Sequence, residues 1–301
     1  MCYAANFQQN LIRLNLHKLT KQLLRCRAIN TIQTILTGAN ITVSLAILFY
    51  ASWSDYKTRE VSNRVWVIYG PIALALSLPE LVIFEPSQLP LFGLSVGLTV
   101  GIAFLLFYSG LFGGADSKAF MCIALALPFA PIALSLPVFN EGLSPIAQYV
   151  FPITILSNSV FFGAAFVVYM VLRNVVWHQK KGVKMFPGTL ASESVGKKFL
   201  AVITGYPMPV DTLKKRHMFP MEDLEEQTEN VIKRKLVVIP QDEETQDKAI
   251  ERLSKAVQSG KIDAYVWATP GLPMLILVTL GLLVALTFGD ISWLLIRFLL
   301  G

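Results

Sequence analysis

Long apolar stretches alternate with short polar segments along most of the chain. A helix needs about 20 mostly apolar residues to cross a bilayer. The fourth stretch carries Pro128, Pro131 and Pro137, so we expect it to be kinked or shorter than its apolar length. The pattern predicts an α-helical polytopic membrane protein with six transmembrane helices. They fall at residues 33–53, 64–84, 89–108, 118–138, 149–176 and 271–288, with a continuation to 300 left open.

The third stretch contains small residues at helical spacing. Gly93, Gly97 and Gly101 recur every four residues and therefore share one helix face. Small residues at this spacing let a neighbouring helix approach closely. We expect this face to pack against another helix.

A polar insert of mixed charge, residues 178–268, separates the fifth and sixth spans. Its β-branched and aromatic runs at 198–204, 235–239 and 264–269 predict strands. The apolar spacing over 242–259 predicts a helix that stops at Gly260. The insert is therefore expected to be a small α+β domain between helices five and six. Its acidic run at 221–229 is interpreted as solvated surface, with attraction of a basic substrate leader as the alternative.

Four regions follow from these patterns: a basic N-terminal extension (1–32), transmembrane helices one to five (33–177), the α+β insert (178–268), and helix six with the C-terminus (269–301). Residues 1–32 could be an interfacial amphipathic helix or an artefact of a start codon placed too far upstream. They lack the features of a cleavable secretory signal.

Composition and charge support the membrane assignment. The chain is 54% hydrophobic and 15% charged, which excludes an ordinary soluble enzyme. The net charge of +6 comes from cations in loops, so membrane orientation explains it better than a nucleic-acid partner. The first loop and the chain leaving the fifth span are basic, so the first, third and fifth loops are expected in the cytoplasm. The loops carrying Glu80, Glu85 and Glu141 contain no Lys or Arg. Three cysteines and three histidines are dispersed, so we expect no disulfide framework, metal site or cofactor.

Two aspartates lie at the ends of predicted spans. Asp55 follows the first span and Asp116 opens the fourth, so two complete crossings separate them and both emerge on one side. Ionisable residues near membrane depth are usually kept for function. Gly113, Gly114 and Ala115 precede Asp116 and allow close approach of a substrate to the backbone. Either aspartate could instead serve as a helix cap.

A close carboxylate pair suits peptide hydrolysis. Two such groups share a proton, so the ionised one can activate water while the protonated one binds the scissile carbonyl. The two titrate as a unit, and the pattern does not say which one holds the proton.

These residues resemble a known family. Asp55 is followed by a basic loop and the step Val61-Ser62-Asn63, and Gly113-Gly114-Ala115-Asp116 is a GxGD-type motif in which alanine replaces the second glycine. Together with WATPGLP at 267–273, they resemble the archaeal branch of the type IV prepilin peptidases over residues 35–290.

The resemblance implies an aspartyl endopeptidase of the cell membrane whose active site faces the cytoplasm. Asp55 and Asp116 would be the catalytic residues, no cofactor would be needed, and the partners would be the lipid bilayer and prepilin or preflagellin precursors. The precursors would lose a short basic leader. The substrate's identity, its cleavage-site preference and the oligomeric state stay open.

Three alternatives are weighed against this interpretation. A presenilin-like intramembrane protease also pairs a GxGD aspartate with another, but the Pro-Ala-Leu motif of that group is not found in this sequence. A proton- or cation-coupled transporter would place its acids near mid-bilayer and show internal repeats. A non-catalytic scaffold would use both aspartates as caps only.

Overall fold

The computed structural model describes residues 31–131, 143–182, 184–213, 218–227, 231–237, 243–270 and 274–300. The chain forms two compact units, Met1–Phe161 with Pro273–Gly301, and Phe162–Leu272. The predicted N-terminal extension lies almost entirely outside the described residues, as do Pro137, Glu141 and the last three residues of WATPGLP.

Most of the described chain is helical, and several helices have the length and composition of membrane spans. Four qualify alone: α1 (Thr31–Thr58), α2 (Asn63–Phe84), α6 (Phe151–Lys181), and α3 (Leu89–Tyr108) together with the turn before it. The pair α9 (Met274–Thr287) and α10 (Ile291–Leu300) qualifies jointly but is bent by 58°. The described residues thus contain four to five candidate spans, and six are not established. The helices are α1 Thr31–Thr58, α2 Asn63–Phe84, α3 Leu89–Tyr108, α4 Gly114–Ala126, α5 Pro145–Tyr149, α6 Phe151–Lys181, α7 Val195–Thr204, α8 Glu243–Gln258, α9 Met274–Thr287 and α10 Ile291–Leu300.

The fourth predicted span is a short helix. α4 has 13 residues, or about 20 Å of length, against a hydrocarbon core of about 30 Å. It ends because Leu127 precedes Pro128, and a residue before proline avoids the helical region. Leu127 accordingly has φ −132° and ψ 68°. The expected shortening at the prolines is confirmed. The predicted helix 118–138 is wrong at residues 127–131, and residues 132–138 lie outside the described part of the chain.

α4 lies at the centre of the first unit and contacts α2, α3 and α9. Its residues Ala119 and Ile123 are fully buried in the main apolar cluster. Hydrogen bonds hold α1 against its neighbours: the Tyr69 hydroxyl of α2 donates to Ser44 Oγ at 2.7 Å, and the Ser52 and Thr279 hydroxyls are 2.8 Å apart. The helix that begins just before Asp116 is therefore firmly packed within the first unit.

The glycine face of α3 does not pack as expected. A Cβ added at Gly93, Gly97 or Gly101 would meet nothing within 4 Å among the described residues. α3 instead buries Ser95, Thr99 and Ala103. Those residues are offset by two positions, roughly 200° around the helix, and so occupy the opposite face. The packing face is also composed of small residues, and hydropathy alone could not choose between the two.

The continuation to residue 300 is a separate helix. Gly289, with φ 83°, lies between α9 and α10. Asn158 of α6 clamps this break, since its Nδ2 donates to the Gly289 carbonyl at 2.9 Å and its Oδ1 accepts from the Ile291 N–H at 3.0 Å. Asp290 Oδ1 then accepts from the Trp293 N–H at 3.2 Å and caps α10.

The second unit contains two small antiparallel sheets with α7 and α8. One sheet has the order β1-β5-β2 and the other pairs β3 with β4. The helix predicted at 242–259 is confirmed as α8, with Gly260 at φ 68°, and the strand predicted at 264–269 is confirmed as β5. The strand predicted at 235–239 overlaps the end of β4, and residues 238–239 lie outside the described part. The strands are β1 Tyr206–Pro209, β2 Phe219–Pro220, β3 Glu222–Gln227, β4 Val231–Leu236 and β5 Tyr265–Thr269.

The strand predicted at 198–204 is wrong, because this segment belongs to helix α7. Ser194 caps the helix by accepting from the Lys197 N–H at 3.4 Å. Ala201 is fully buried and Val202 packs against the same cluster, which includes Trp267. The cap and this tertiary packing outweigh the β propensity of the run.

The acidic run at 221–229 is not wholly solvated surface. Glu222 is 1% exposed, and its carboxylate accepts from Arg234 Nε at 2.7 Å, Arg234 Nη2 at 3.0 Å and the Trp267 N–H at 2.8 Å. Asp223, on the other face of the strand, pairs with the partly exposed Arg252. The interpretation fails at Glu222 because strand alternation turns it into the core.

Glu193 links α7 to the strands. Its carboxylate accepts from the Leu236 N–H at 3.1 Å and from Lys197 Nζ at 3.0 Å. Partial burial opposes ionisation, but these donors hold the pKa of the Glu193 carboxyl below its ordinary value.

Candidate active site

Asp55 lies in the last turn of α1, where the chain turns sharply. The Arg59 N–H donates to the Asp55 carbonyl at 3.0 Å, and Arg59 has a left-handed φ of 58° that ends the helix. Ser54 Oγ donates to the Glu60 carbonyl at 2.9 Å and braces the turn. The Arg59 guanidinium is close enough to the half-buried Asp55 carboxylate to attract it. Asp55 therefore occupies a short, braced turn beside a cation.

Asp116 is the third residue of α4, and its exposed fraction is 9%. Its Oδ2 accepts from the Gly113 N–H at 2.9 Å, which satisfies a helix-start donor and fixes the orientation of the carboxylate. Ser117 Oγ lies 3.2 Å from the Gly113 carbonyl and 3.3 Å from the Ala103 carbonyl of α3, and can donate to either. Asp116 thus partly fulfils the capping role of the alternative interpretation, although it lies within the first turn of α4 and not before it.

The small residues before Asp116 differ in what they contact. A Cβ on Gly113 would lie 3.1 Å from Asp116 Oδ2, tighter than an ordinary contact. A Cβ on Gly114 would lie 3.8 Å from the Phe107 ring, an ordinary distance, and Ala115 already packs against the main cluster. Of these three positions, only Gly113 would bring an added Cβ into tight contact with the carboxylate.

The two predicted aspartates interact electrostatically. The charge of Asp55 acts on the Asp116 carboxyl, although 61 positions separate the two residues in the sequence. Glu80 and Glu85 line a cavity at the opposite end of α1 and α2. Asp290 caps α10 instead. Among the described residues, no three His, Cys, Asp or Glu side chains gather in a way that could hold a metal ion.

Sequence reasoning missed two features of this surface. Lys118 Nζ donates to Asn63 Oδ1 at 2.6 Å and ties the start of α4 to the start of α2. Both residues were visible in their motifs, but nothing in a single sequence pairs positions 55 residues apart. In the sequence, Arg59 contributed only to the positive charge of the first loop. Its left-handed backbone and its interaction with Asp55 depend on the fold.

The fold and this carboxylate pair define a membrane protein with several helical spans and an acidic pair at one end of its helices. Residues 42–171 match the Type IV leader peptidase family, and residues 197–291 match the archaeal peptidase A24 C-terminus of type II. The two matches cover most of the chain. Together the two matches show that the chain is similar to the archaeal type IV leader peptidases in both of its parts.

Individual relatives agree with this assignment. A preflagellin peptidase of Methanococcus voltae is 27% identical over 254 residues, which is 82% of this chain and 94% of that protein. A preflagellin peptidase of Methanocaldococcus jannaschii is 26% identical over 262 residues, 83% of this chain and 94% of that protein. The prepilin peptidase EppA of Methanothermobacter thermautotrophicus is 29% identical over 124 residues, 40% of this chain and 32% of that protein.

Proposed function

We propose that this protein is a membrane aspartyl endopeptidase that removes the short basic leader of preflagellins or prepilins at the cytoplasmic membrane boundary. The observation that supports the proposal is the electrostatic interaction between Asp55 and Asp116 in a chain that matches the leader peptidase family. The named activity of the preflagellin peptidases that match along most of their length supports the substrate class.

The carboxylate pair supplies general acid and base together. Two carboxylates in one site share a proton, so the ionised one takes a proton from the attacking water while the other donates to the scissile carbonyl. The Gly113 N–H holds Asp116 through Oδ2, and the braced turn at Arg59 holds Asp55. The Asp116 carboxylate is thus oriented at the start of α4, and the Asp55 backbone is held at the end of α1.

The position of the pair suits a substrate that lies partly in the bilayer. A precursor with an apolar helix in the membrane and a basic leader outside it places the junction at the ends of its spanning segment. Asp55 and Asp116 lie at helix ends, and the acids attract a cationic leader. We assign this surface to the cytoplasm because the first predicted loop carries Lys57, Arg59 and Arg64.

The test is cleavage of a co-expressed preflagellin or prepilin by Asp55→Asn and Asp116→Asn variants. Asparagine keeps an oxygen that can accept from the Gly113 N–H, so the helix start survives while the acid is lost. We expect each variant to lose at least about a hundredfold in cleavage rate. Asp211→Asn, the same change at an exposed aspartate of the second unit, is expected to cleave normally.

Normal processing by either Asp55→Asn or Asp116→Asn would refute the catalytic assignment. Comparing Asp116→Ala with Asp116→Asn separates chemistry from capping, because only alanine removes the acceptor for Gly113. We expect both variants to lose cleavage equally, and only Asp116→Ala to have a lower thermal stability. An ion flux abolished by the same variants, with precursor size unchanged, would favour the transporter alternative.

A further inference from the structure

The first unit contains a cavity of about 600 Å³ remote from the aspartate pair. It lies between the N-terminal part of α1, the C-terminal part of α2 and the end of α4. Thr37 lines it and Asp55 lies 18 residues further along the same helix, so about 27 Å of helix separates the two sites. The cavity therefore belongs to the other end of the helices.

Two carboxylates of the cavity are held in defined positions. Glu85 Oε1 accepts from Gln33 Nε2 at 2.8 Å, and its Oε2 accepts from Gln88. Glu80 Oε1 accepts from Thr37 Oγ1 at 2.7 Å. The two carboxylates are close enough to repel one another. None of the described residues lining the cavity is Lys, Arg or His, so the lining itself offers no cation to balance them.

Two further polar atoms of the lining have no partner. Asn40 is 1% exposed and Ser77 is 3% exposed, and both line the cavity. Neither Asn40 Oδ1 nor Ser77 Oγ has a hydrogen-bond partner. An unsatisfied buried polar atom costs about 1–3 kcal/mol, so a ligand or water that binds both atoms in this cavity would be stabilised.

The C-terminal end of α4 also favours a cation in the cavity. Ala126, its last residue, and Leu127, its cap, both line the cavity. The last carbonyl groups of a helix lack intrahelical partners and carry partial negative charge. Carboxylates, an amide oxygen, a hydroxyl and a helix C-terminus all favour a cation.

We propose that this cavity binds a hard divalent cation such as Ca²⁺ through oxygens of Glu80, Glu85 and Asn40, with the Ser77 hydroxyl oxygen as a further ligand. Two carboxylates balance a double positive charge, and an oxygen-only set of carboxylate, amide and hydroxyl groups is what Ca²⁺ prefers. The cation joins α1 to α2 at the end remote from the aspartates. The expectation of no metal came from Cys and His spacing, which does not cover an oxygen-only site.

The test uses full-length protein purified in detergent and stripped with a chelator. Equilibrium binding of radioactive Ca²⁺ and the thermal unfolding midpoint with CaCl₂ are measured, with MgCl₂, MnCl₂ and NaCl as comparisons. We expect saturable Ca²⁺ binding and a higher midpoint. Glu80→Gln and Glu85→Gln should each weaken binding at least about tenfold. Glu225→Gln, at an exposed acid of the second unit, should change nothing.

Ser77→Ala keeps the test decisive if a carboxylate variant fails to fold. It removes a hydroxyl without a partner, so the metal-free unfolding midpoint should stay equal or rise while the Ca²⁺-induced shift shrinks. Asp55→Asn should bind Ca²⁺ normally, which separates this site from the proposed catalytic pair. Absence of saturable binding by Ca²⁺, Mg²⁺ and Mn²⁺, or binding unchanged in both Glu80→Gln and Ser77→Ala, would overturn the proposal.

Discussion

The buried ion pair of the second unit allows a quantitative prediction. Arg234→Met removes the guanidinium and keeps much of the side-chain volume. The Glu222 side chain is 0% exposed, and it would lose both hydrogen bonds from Arg234 while keeping only the one from the Trp267 N–H. The Tyr265 carbonyl would lose the Arg234 Nη2 donor, now at 3.0 Å.

The structure sets the expected size of this effect. Removing one partner of a buried pair costs about 3–5 kcal/mol, because the other charge stays buried without compensation. Domain stabilities are on the order of 5–15 kcal/mol, so this is a large share. The double variant Arg234→Met with Glu222→Gln removes both charges and keeps an acceptor for Trp267. It should recover more than half of the loss.

The assay is thermolysin proteolysis of the full chain in detergent over a urea series, with cuts mapped to residues 162–272 by mass spectrometry. Arg252→Met is the matched control, because Arg252 pairs with Asp223 while 44% of its side chain is exposed. Such a pair contributes about 0–1 kcal/mol. A loss in Arg234→Met no larger than in Arg252→Met, or a double variant as unstable as the single one, would refute the reasoning.

Three further changes have defined outcomes. Gly113→Ala should slow precursor cleavage about tenfold or more, since its Cβ would lie 3.1 Å from Asp116 Oδ2 and displace the carboxylate. Glu193→Gln should lower the stability of the second unit near neutral pH, and the difference from the parent chain should vanish as acid titrates the glutamate through its lowered pKa. Gly281→Ala should destabilise the first unit by about 1–3 kcal/mol, as its Cβ would lie 2.6 Å from the Ile155 carbonyl.

Each of these predictions has a control or a contrary result. Gly114→Ala should cleave normally, so equal slowing at both glycines would count against the contact with Asp116. A Glu193→Gln deficit that persists in strong acid would contradict the assigned ion pair. Gly97→Ala meets nothing within 4 Å and should be neutral or slightly stabilising, and an effect as large as that of Gly281→Ala would contradict the packing.

Hydropathy and the number of membrane crossings predict those features of the protein that depend on one segment at a time. Apolar length is enough to find α1, α2, α3 and α6, because each must cover the same bilayer thickness. The count of crossings is enough to put Asp55 and Asp116 on one side. Neither feature depends on contacts between side chains.

The features that escaped prediction depend on contacts between distant segments. Trp267 and Arg234 decide that Glu222 is core rather than surface, and they lie 45 and 12 positions away. The small residues of α3 form two opposite faces, and only the position of α4 selects Ser95 over Gly97 as the packed side. The β propensity of residues 198–204 likewise predicts a strand, whereas the N-terminal cap and the tertiary packing make this segment a helix.

The hydrogen bond between Ser52 and Thr279 spans 227 positions of the chain and has a consequence for biosynthesis. The ribosome synthesises the whole of Phe162–Leu272 before it reaches Thr279. α1, which carries Asp55, therefore lacks this neighbour until the whole inserted unit has been synthesised. A nascent chain stalled before residue 274 would hold the first aspartate on a helix that lacks this lateral anchor.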